Sequence, residues 1–311
     1  MSKTAIKIGI VGLGKIARDQ HIPALTADSD YELVAVASKS GDAPIRIPTY
    51  RNLSDMIDGI PEMEAIAFCT PPQGRYLLAR QALEKGLHVM LEKPPGATVS
   101  EVQDLVTRAH MNGVTLFASW HSRAAPAVGK ARHWLESRSI HRVVVRWKED
   151  VRKWHPGQNW IWQPAGFGVF DPGINALSLV TAILPRTIFL TEALLSYPAN
   201  RDAPIAAKLA LGDGAGMDVD VEFDFRQTGE QIWDIVVDTD AGQLKLGHGG
   251  STMQVDGLRV DVTPSSEYSS LYQQFAKLIR IRGVDVDLVP FQLVADAFLL
   301  GRREVVEPFS D

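Results

Sequence analysis

At 311 residues the chain is too long for one small core, so two domains are expected. A formal net charge of −5 gives no electrostatic reason to expect nucleic acid or a membrane surface as partner, and the single cysteine, Cys69, excludes an internal disulfide and a cysteine metal cluster. No run of about 18 apolar residues is present to span a membrane. The N-terminus enters a strand pattern without a leader pattern, so a cytoplasmic, reducing location is expected.

Residues 6–11 are apolar and β-branched except for Lys7 and Gly9, with glycine bounding them, which suits a buried strand of a parallel sheet. A helix is predicted over 15–27 and a second strand over 32–37. Residues 65–69 form another strand and 75–85 a helix stopped by Gly86, with 89–91 and 116–118 as later strands of the same sheet. This alternation implies βαβ units and a doubly wound domain.

The texture changes after Pro126. One helix to about Leu135 leads into the alternating run 142–150, and strand patterns follow at 189–197, 205–211, 217–225, 230–239, 242–246 and 252–255. Turns such as Asn200-Arg201-Asp202 and Asp240-Ala241-Gly242 separate them. Short strands with local connections predict a mostly antiparallel sheet, one face against helices and one free. Because large apolar sheet faces are rarely left wet, the free face is a candidate interface for a homo-oligomer, dimer or tetramer. Two helices, 271–282 and 291–303, close the chain.

Gly12-Leu13-Gly14-Lys15-Ile16-Ala17 has the form G-x-G-x-x-A. It follows a strand and opens a helix, the context in which glycines let a backbone approach a pyrophosphate and a helix N-terminus offers its free N–H groups. A tight strand-to-helix turn without a ligand is the competing reading. At the end of the second strand an acidic residue would hold a ribose 2′-hydroxyl and repel a 2′-phosphate. The chain has Ser38-Lys39 there, which is compatible with NADP, with NAD also admitted, or else is a solvated loop pair.

The loop above, the Cys69-Thr70-Pro71-Pro72 turn, the Glu92-Lys93-Pro94-Pro95 segment and the stretch 168–175 (GVFDPGIN) together resemble the Gfo/Idh/MocA oxidoreductase family. Within it, the stretches 15–24, 88–98, 146–162 and 170–178 look like the aldose 1-dehydrogenases that act on D-galactose or L-arabinose. The resemblance covers nearly the whole chain. It implies an α/β protein: an N-terminal Rossmann dinucleotide-binding domain over 1–122, then an α+β domain with an open, mostly antiparallel sheet over 123–311. The last helices are candidates to pack back on the first domain. It also implies an active site in the cleft between the domains, with Thr70, Pro71, Glu92 and Lys93 joining Gly12, Gly14, Lys15, Ile16, Ser38 and Lys39 at the cofactor.

Lys93 is positioned to bind and polarise a sugar oxygen, or is a surface lysine beside a rigid Pro-Pro turn. Asp171 and Asn175 are four apart and share a helix face, though Asp171-Pro172 also reads as an N-cap followed by proline at N1. Many relatives have histidine where this chain has Asn175. Asparagine cannot carry a proton at neutral pH, which leaves Asp171 or Lys93 as the proton acceptor. Sugars need hydrogen-bonding side chains beside an aromatic plane. Glu149 and His155 suit the first role, and Trp154, Trp160 or Trp162 the second, unless those tryptophans are packing residues. His121 and Trp233 are further candidates for the substrate, a small monosaccharide. No metal-ligand spacing appears. The function implied is NAD(P)-dependent oxidation of an aldopyranose at C1 to the lactone. An inositol or cyclic-polyol dehydrogenase and a non-catalytic cofactor-binding regulator are the rivals.

Overall fold

The computed structural model describes residues 4–39, 43 and 45–310. The chain divides into two compact units, Met1–Trp120 with Ser266–Asp287, and His121–Ser265 with Leu288–Asp311. Residues 266–287 thus interrupt what the sequence suggests is a continuous second domain from 123 onward.

The first unit is built on a seven-stranded parallel sheet. Its order is Val284–Asp285, Leu116–Ser119, His88–Glu92, Ala65–Phe68, Ile6–Val11, Tyr31–Ala37 and Thr49–Tyr50. The strand order reverses beside Ile6–Val11, the switch point at whose carboxyl edge open α/β sheets bind ligands. The expected helix over 15–27 is present with a fault in it. Ala17–His21 is π-helical and Ile22–Ala27 α-helical, with the Ile22 N–H donating to the Ala17 carbonyl five residues back. Pro23 follows directly; it has no N–H to give, and its ring crowds the preceding turn, so the helix widens there.

Helix Glu267–Ile281 belongs to this unit. Tyr268, Leu271, Tyr272, Phe275, Ala276 and Leu278 recur at helical spacing on its buried side, in one cluster with Ile6, Ile8 and Ile10 of the first strand. The fully buried Phe275 alone is worth roughly 1.5–3 kcal/mol of transfer free energy. Two helices not foreseen from periodicity, Leu53–Gly59 and Val99–Asn112, complete the unit. The second carries a capping box, Thr98 with Glu101, and ends on Gly113 in the left-handed region.

In the second unit nine strands lie in the order Leu258–Val260, Thr252–Val255, Gly242–Gly247, Ile232–Thr239, Ile140–Lys148, Asp218–Asp224, Ala206–Gly212, Phe189–Pro198 and Arg302–Val306. Six of the eight pairings are antiparallel. Ile140–Lys148 with Asp218–Asp224, and Phe189–Pro198 with Arg302–Val306, run parallel. The expected helix 291–303 is shorter, Val289–Leu300. The backbone turns extended at Gly301 (φ −67°, ψ 130°) and its last residues become the edge strand.

One face buries Val143, Val145 and Trp147 on the side of helix Phe170–Ile183. The other face is not the apolar surface expected. Arg142–Asp220, Arg146–Glu222, Lys148–Glu222 and Lys245–Asp234 pair on it at 2.6–3.2 Å. No helix among the described residues is long and apolar enough to cross a membrane.

Candidate active site

Gly12 leaves the first strand at φ +96°, a conformation that side chains avoid. A Cβ there would lie 2.9 Å from the Thr70 nitrogen and 3.0 Å from the Cys69 carbonyl carbon. A Cβ on Gly14 would meet nothing within 4 Å, so this side of the loop is open. Arg18 Nε donates to the Leu13 carbonyl at 3.1 Å, and Lys15 pairs with Asp19. The Thr70 hydroxyl is buried and has no hydrogen-bond partner among the described residues. An orphaned hydroxyl beside an open glycine loop at the switch point fits a dinucleotide. Ser38 is half-buried and its N–H donates to the Tyr50 carbonyl at 2.9 Å; Lys39 is exposed. The Ser40–Asp42 stretch that follows lies outside the described residues.

Lys93 stands just after strand His88–Glu92, and the Lys93–Pro94 peptide is cis. The buried Arg75 guanidinium donates to the carbonyls of Glu92, Pro94 and Thr70, tying this turn to the Cys69-Thr70-Pro71-Pro72 turn. Pro71 sits in that second turn. Glu92, expected at the cofactor, is itself buried and spends its carboxylate inward. Oε1 lies 3.0 Å from His21 Nε2 and accepts from the Tyr268 hydroxyl at 2.8 Å, and Oε2 accepts from the Lys93 N–H at 2.9 Å. His21 Nδ1 lies 2.7 Å from the Tyr272 hydroxyl. Complete burial alone would depress the His21 imidazole, but the Cys69 side chain and the Glu92 carboxylate outweigh it and push the pKa up to about 10. Burial, chiefly, holds the Tyr268 and Tyr272 phenols well above their ordinary value.

The second unit gathers Glu149, Trp154, His155, Asp171 and Trp233. The loop that delivers Asp171 is tightly wound. Phe167 has φ +71°, costing on the order of 1–3 kcal/mol, with its ring packed 5.6 Å from that of Phe291. At Gly168 (φ +52°) a Cβ would strike the Pro204 carbonyl oxygen at 2.3 Å. The capping alternative for Asp171 does not hold. Val169 is the N-cap residue, no side chain caps the helix, and Asp171 lies in its first turn, 3% exposed.

Imidazole and carboxylates meet here. His155 Nε2 is 3.3 Å from Glu149 Oε1, and His155 Nδ1 is 3.8 Å from Asp171 Oδ2. The Trp233 indole N–H donates to Glu149 Oε2 at 2.9 Å, and the Trp154 and Trp233 rings meet edge to face at 5.3 Å. Gln231 Oε1 accepts from the Asp150 N–H (2.6 Å) and the Trp154 indole N–H (3.2 Å), anchoring the short helix Val151–Trp154. Asn175 lies one turn beyond Asp171 and is half-buried. His121 opens the 3-10 turn His121–Ala124, its Nδ1 3.5 Å from the Ser122 hydroxyl.

Trp162 is not a sugar platform. It is a core residue, 4% exposed, packed on Phe225 and Phe309. Arg75, His21, Tyr268 and Tyr272 escape sequence reasoning. His21 and Tyr268 reach Glu92 across 71 and 176 positions, and no local pattern announces such pairs. Among the described residues no group of histidine, cysteine and acidic side chains is arranged to hold a metal ion.

Comparison with known proteins gives four findings. The Gfo/Idh/MocA model, an oxidoreductase family with an NAD-binding Rossmann fold, matches residues 6–119. A galactose 1-dehydrogenase of Pseudomonas fluorescens is 45% identical over 306 residues, 98% of this chain and 99% of the relative. The crystal structure of D-galactose-1-dehydrogenase from Rhizobium etli matches with a TM-score of 0.95 at 52% identity, covering 100% of this chain and 99% of its own. A 3-ketoreductase from Actinomadura kijaniata, solved with NADP and TDP-benzene, shares the fold alone, with a TM-score of 0.85 at 16% identity over 97% of this chain and 100% of its own.

Proposed function

The chain belongs to the Gfo/Idh/MocA oxidoreductase family, and on that premise we propose that it oxidises C1 of a free aldopyranose, D-galactose foremost, to the aldonolactone. The observation that carries this reading is the group in the second unit, where two carboxylates and an imidazole stand beside an aromatic corner. A pyranose offers hydroxyls to the first and C–H faces to the second. The galactose 1-dehydrogenases named above support the choice of sugar.

When bound, NAD(P) supplies the hydride acceptor. Gly12, Gly14, Lys15 and Ile16 would hold its pyrophosphate, with Thr70 and Pro71 beside them. Ser38 and Lys39, in place of an acidic residue, admit the 2′-phosphate of NADP. Lys93 holds the reacting oxygen and offsets the negative charge that develops on it. Asp171 accepts the proton of the C1 hydroxyl, and Asn175 orients the same hydroxyl with its amide. Glu149, His155 and His121 bind ring hydroxyls, and Trp154 and Trp233 line the apolar face.

Cofactor reduction with D-galactose, L-arabinose, D-glucose and inositol, each with NADP and with NAD, tests the reading. Turnover of D-galactose with NADP is expected. L-Arabinose lacks only the exocyclic CH₂OH, so it should follow within a few kcal/mol. Turnover of inositol alone would replace the aldose by a cyclic polyol, and turnover of none would favour a non-catalytic role.

A further inference from the structure

Asn175, one turn beyond Asp171 on the same helix, cannot store a proton. The structure supplies an imidazole from a different element. His155 follows helix Val151–Trp154, outside helix Phe170–Ile183, and its two ring nitrogens face two carboxylates. Nε2 is 3.3 Å from Glu149 Oε1, and Nδ1 is 3.8 Å from Asp171 Oδ2. Resting on the aldose dehydrogenase reading, we propose that His155 takes the reaction's proton from Asp171, so that Glu149, His155 and Asp171 form a relay from the sugar hydroxyl to water.

The balance is simple. The O–H bond at C1 breaks and its proton goes to Asp171, while the C1 hydrogen would leave with the C1–H electron pair to bound NAD(P) as hydride acceptor and C1=O forms. Asp171 then passes the proton to the Nδ1 lone pair of His155. An ionised Glu149 accepts only, so it fixes the hydrogen on Nε2 and leaves Nδ1 free for this step. Glu149 also stabilises the imidazolium that results, and is held in turn by the Trp233 indole N–H. Gln158 Oε1, 3.5 Å from Nδ1, is placed to accept from the new N–H. The 3.8 Å gap is the distance of a resting pair, and such contacts tighten in the reacting complex. The His155 side chain is 13% exposed, enough to release the proton outward, whereas that of Asp171 is 4% exposed.

Without the relay each turnover must discharge a buried aspartic acid directly to water. His155→Ala is therefore expected to lower kcat at least tenfold. Galactose affinity, read by quenching of tryptophan fluorescence, should fall by a smaller factor than kcat, since His155 also binds a ring hydroxyl, and added imidazole should restore part of the lost kcat. His155→Gln, which keeps a hydrogen-bonding side chain, should lose as much kcat without rescue, and it serves if the alanine variant does not fold. An unchanged kcat in both variants, or a loss confined to affinity with no imidazole rescue, would overturn the relay and leave His155 as a hydroxyl ligand only. These outcomes presuppose that the wild-type enzyme turns over an aldose; if it does not, the functional reading has failed first.

Discussion

Asp171→Asn and Lys93→Met are each expected to lower kcat by about 10²-fold or more, with far smaller changes in KM and no loss of fold. Asp171 lies in the first turn of helix Phe170–Ile183, where the helix dipole favours its negative charge. Asparagine keeps the shape and the hydrogen-bonding capacity but cannot take a proton from the C1 hydroxyl. Lys93→Met keeps most of the side chain's length and removes the charge proposed to offset the developing oxyanion. The Lys93 backbone, fixed by its N–H bond to Glu92, is untouched by that change. Steady-state kinetics on variants whose circular dichroism and melting temperature match wild type decide the matter. A kcat within threefold of wild type would reduce the residue concerned to a structural or binding role.

The second large effect lies in stability. Folding is expected to weaken as pH rises from about 6.5 to about 10 because of His21. The sign follows from the direction of its shift. The folded protein holds the His21 proton more tightly than the unfolded chain, so the contribution is complete below the unfolded value of 6.5. It is lost as pH climbs through the folded value of about 10. His21→Gln removes one partner of a buried charged pair, which costs about 3–5 kcal/mol and leaves the Glu92 carboxylate under-compensated. Urea unfolding across this range should show the wild-type free energy declining toward that of the variant. Parallel curves would mean that His21 carries no extra proton in the folded state.

The Rossmann half was legible because its signals are local. The run 6–11, the glycine loop and the alternation of strands and helices each occupy a few consecutive residues. The helix Val99–Asn112 announces itself locally as Thr98-x-x-Glu101 before an amphipathic run. The π-helical fault at Ala17–His21 was hidden, although Pro23 marks its place. In the second unit, alternation revealed the strands but not the two parallel pairings or the edge strand Arg302–Val306. A strand's partner depends on the whole topology. Glu149, Trp154, His155, Asp171 and Trp233 stand out in the sequence by their chemistry and a family likeness, and the fold links them through contacts of a few ångströms. Arg75 and the His21–Glu92–Tyr268 group were not readable, since a buried ion pair across 71 positions leaves no periodicity in the chain.

The most direct test of the account follows the hydrogen at the anomeric carbon. D-Galactose deuterated at C1 should deliver its deuterium to the nicotinamide ring, yield unlabelled galactonolactone and slow the chemical step by a primary isotope effect. Reduced cofactor without deuterium, or deuterium retained in the sugar product, would contradict oxidation at C1.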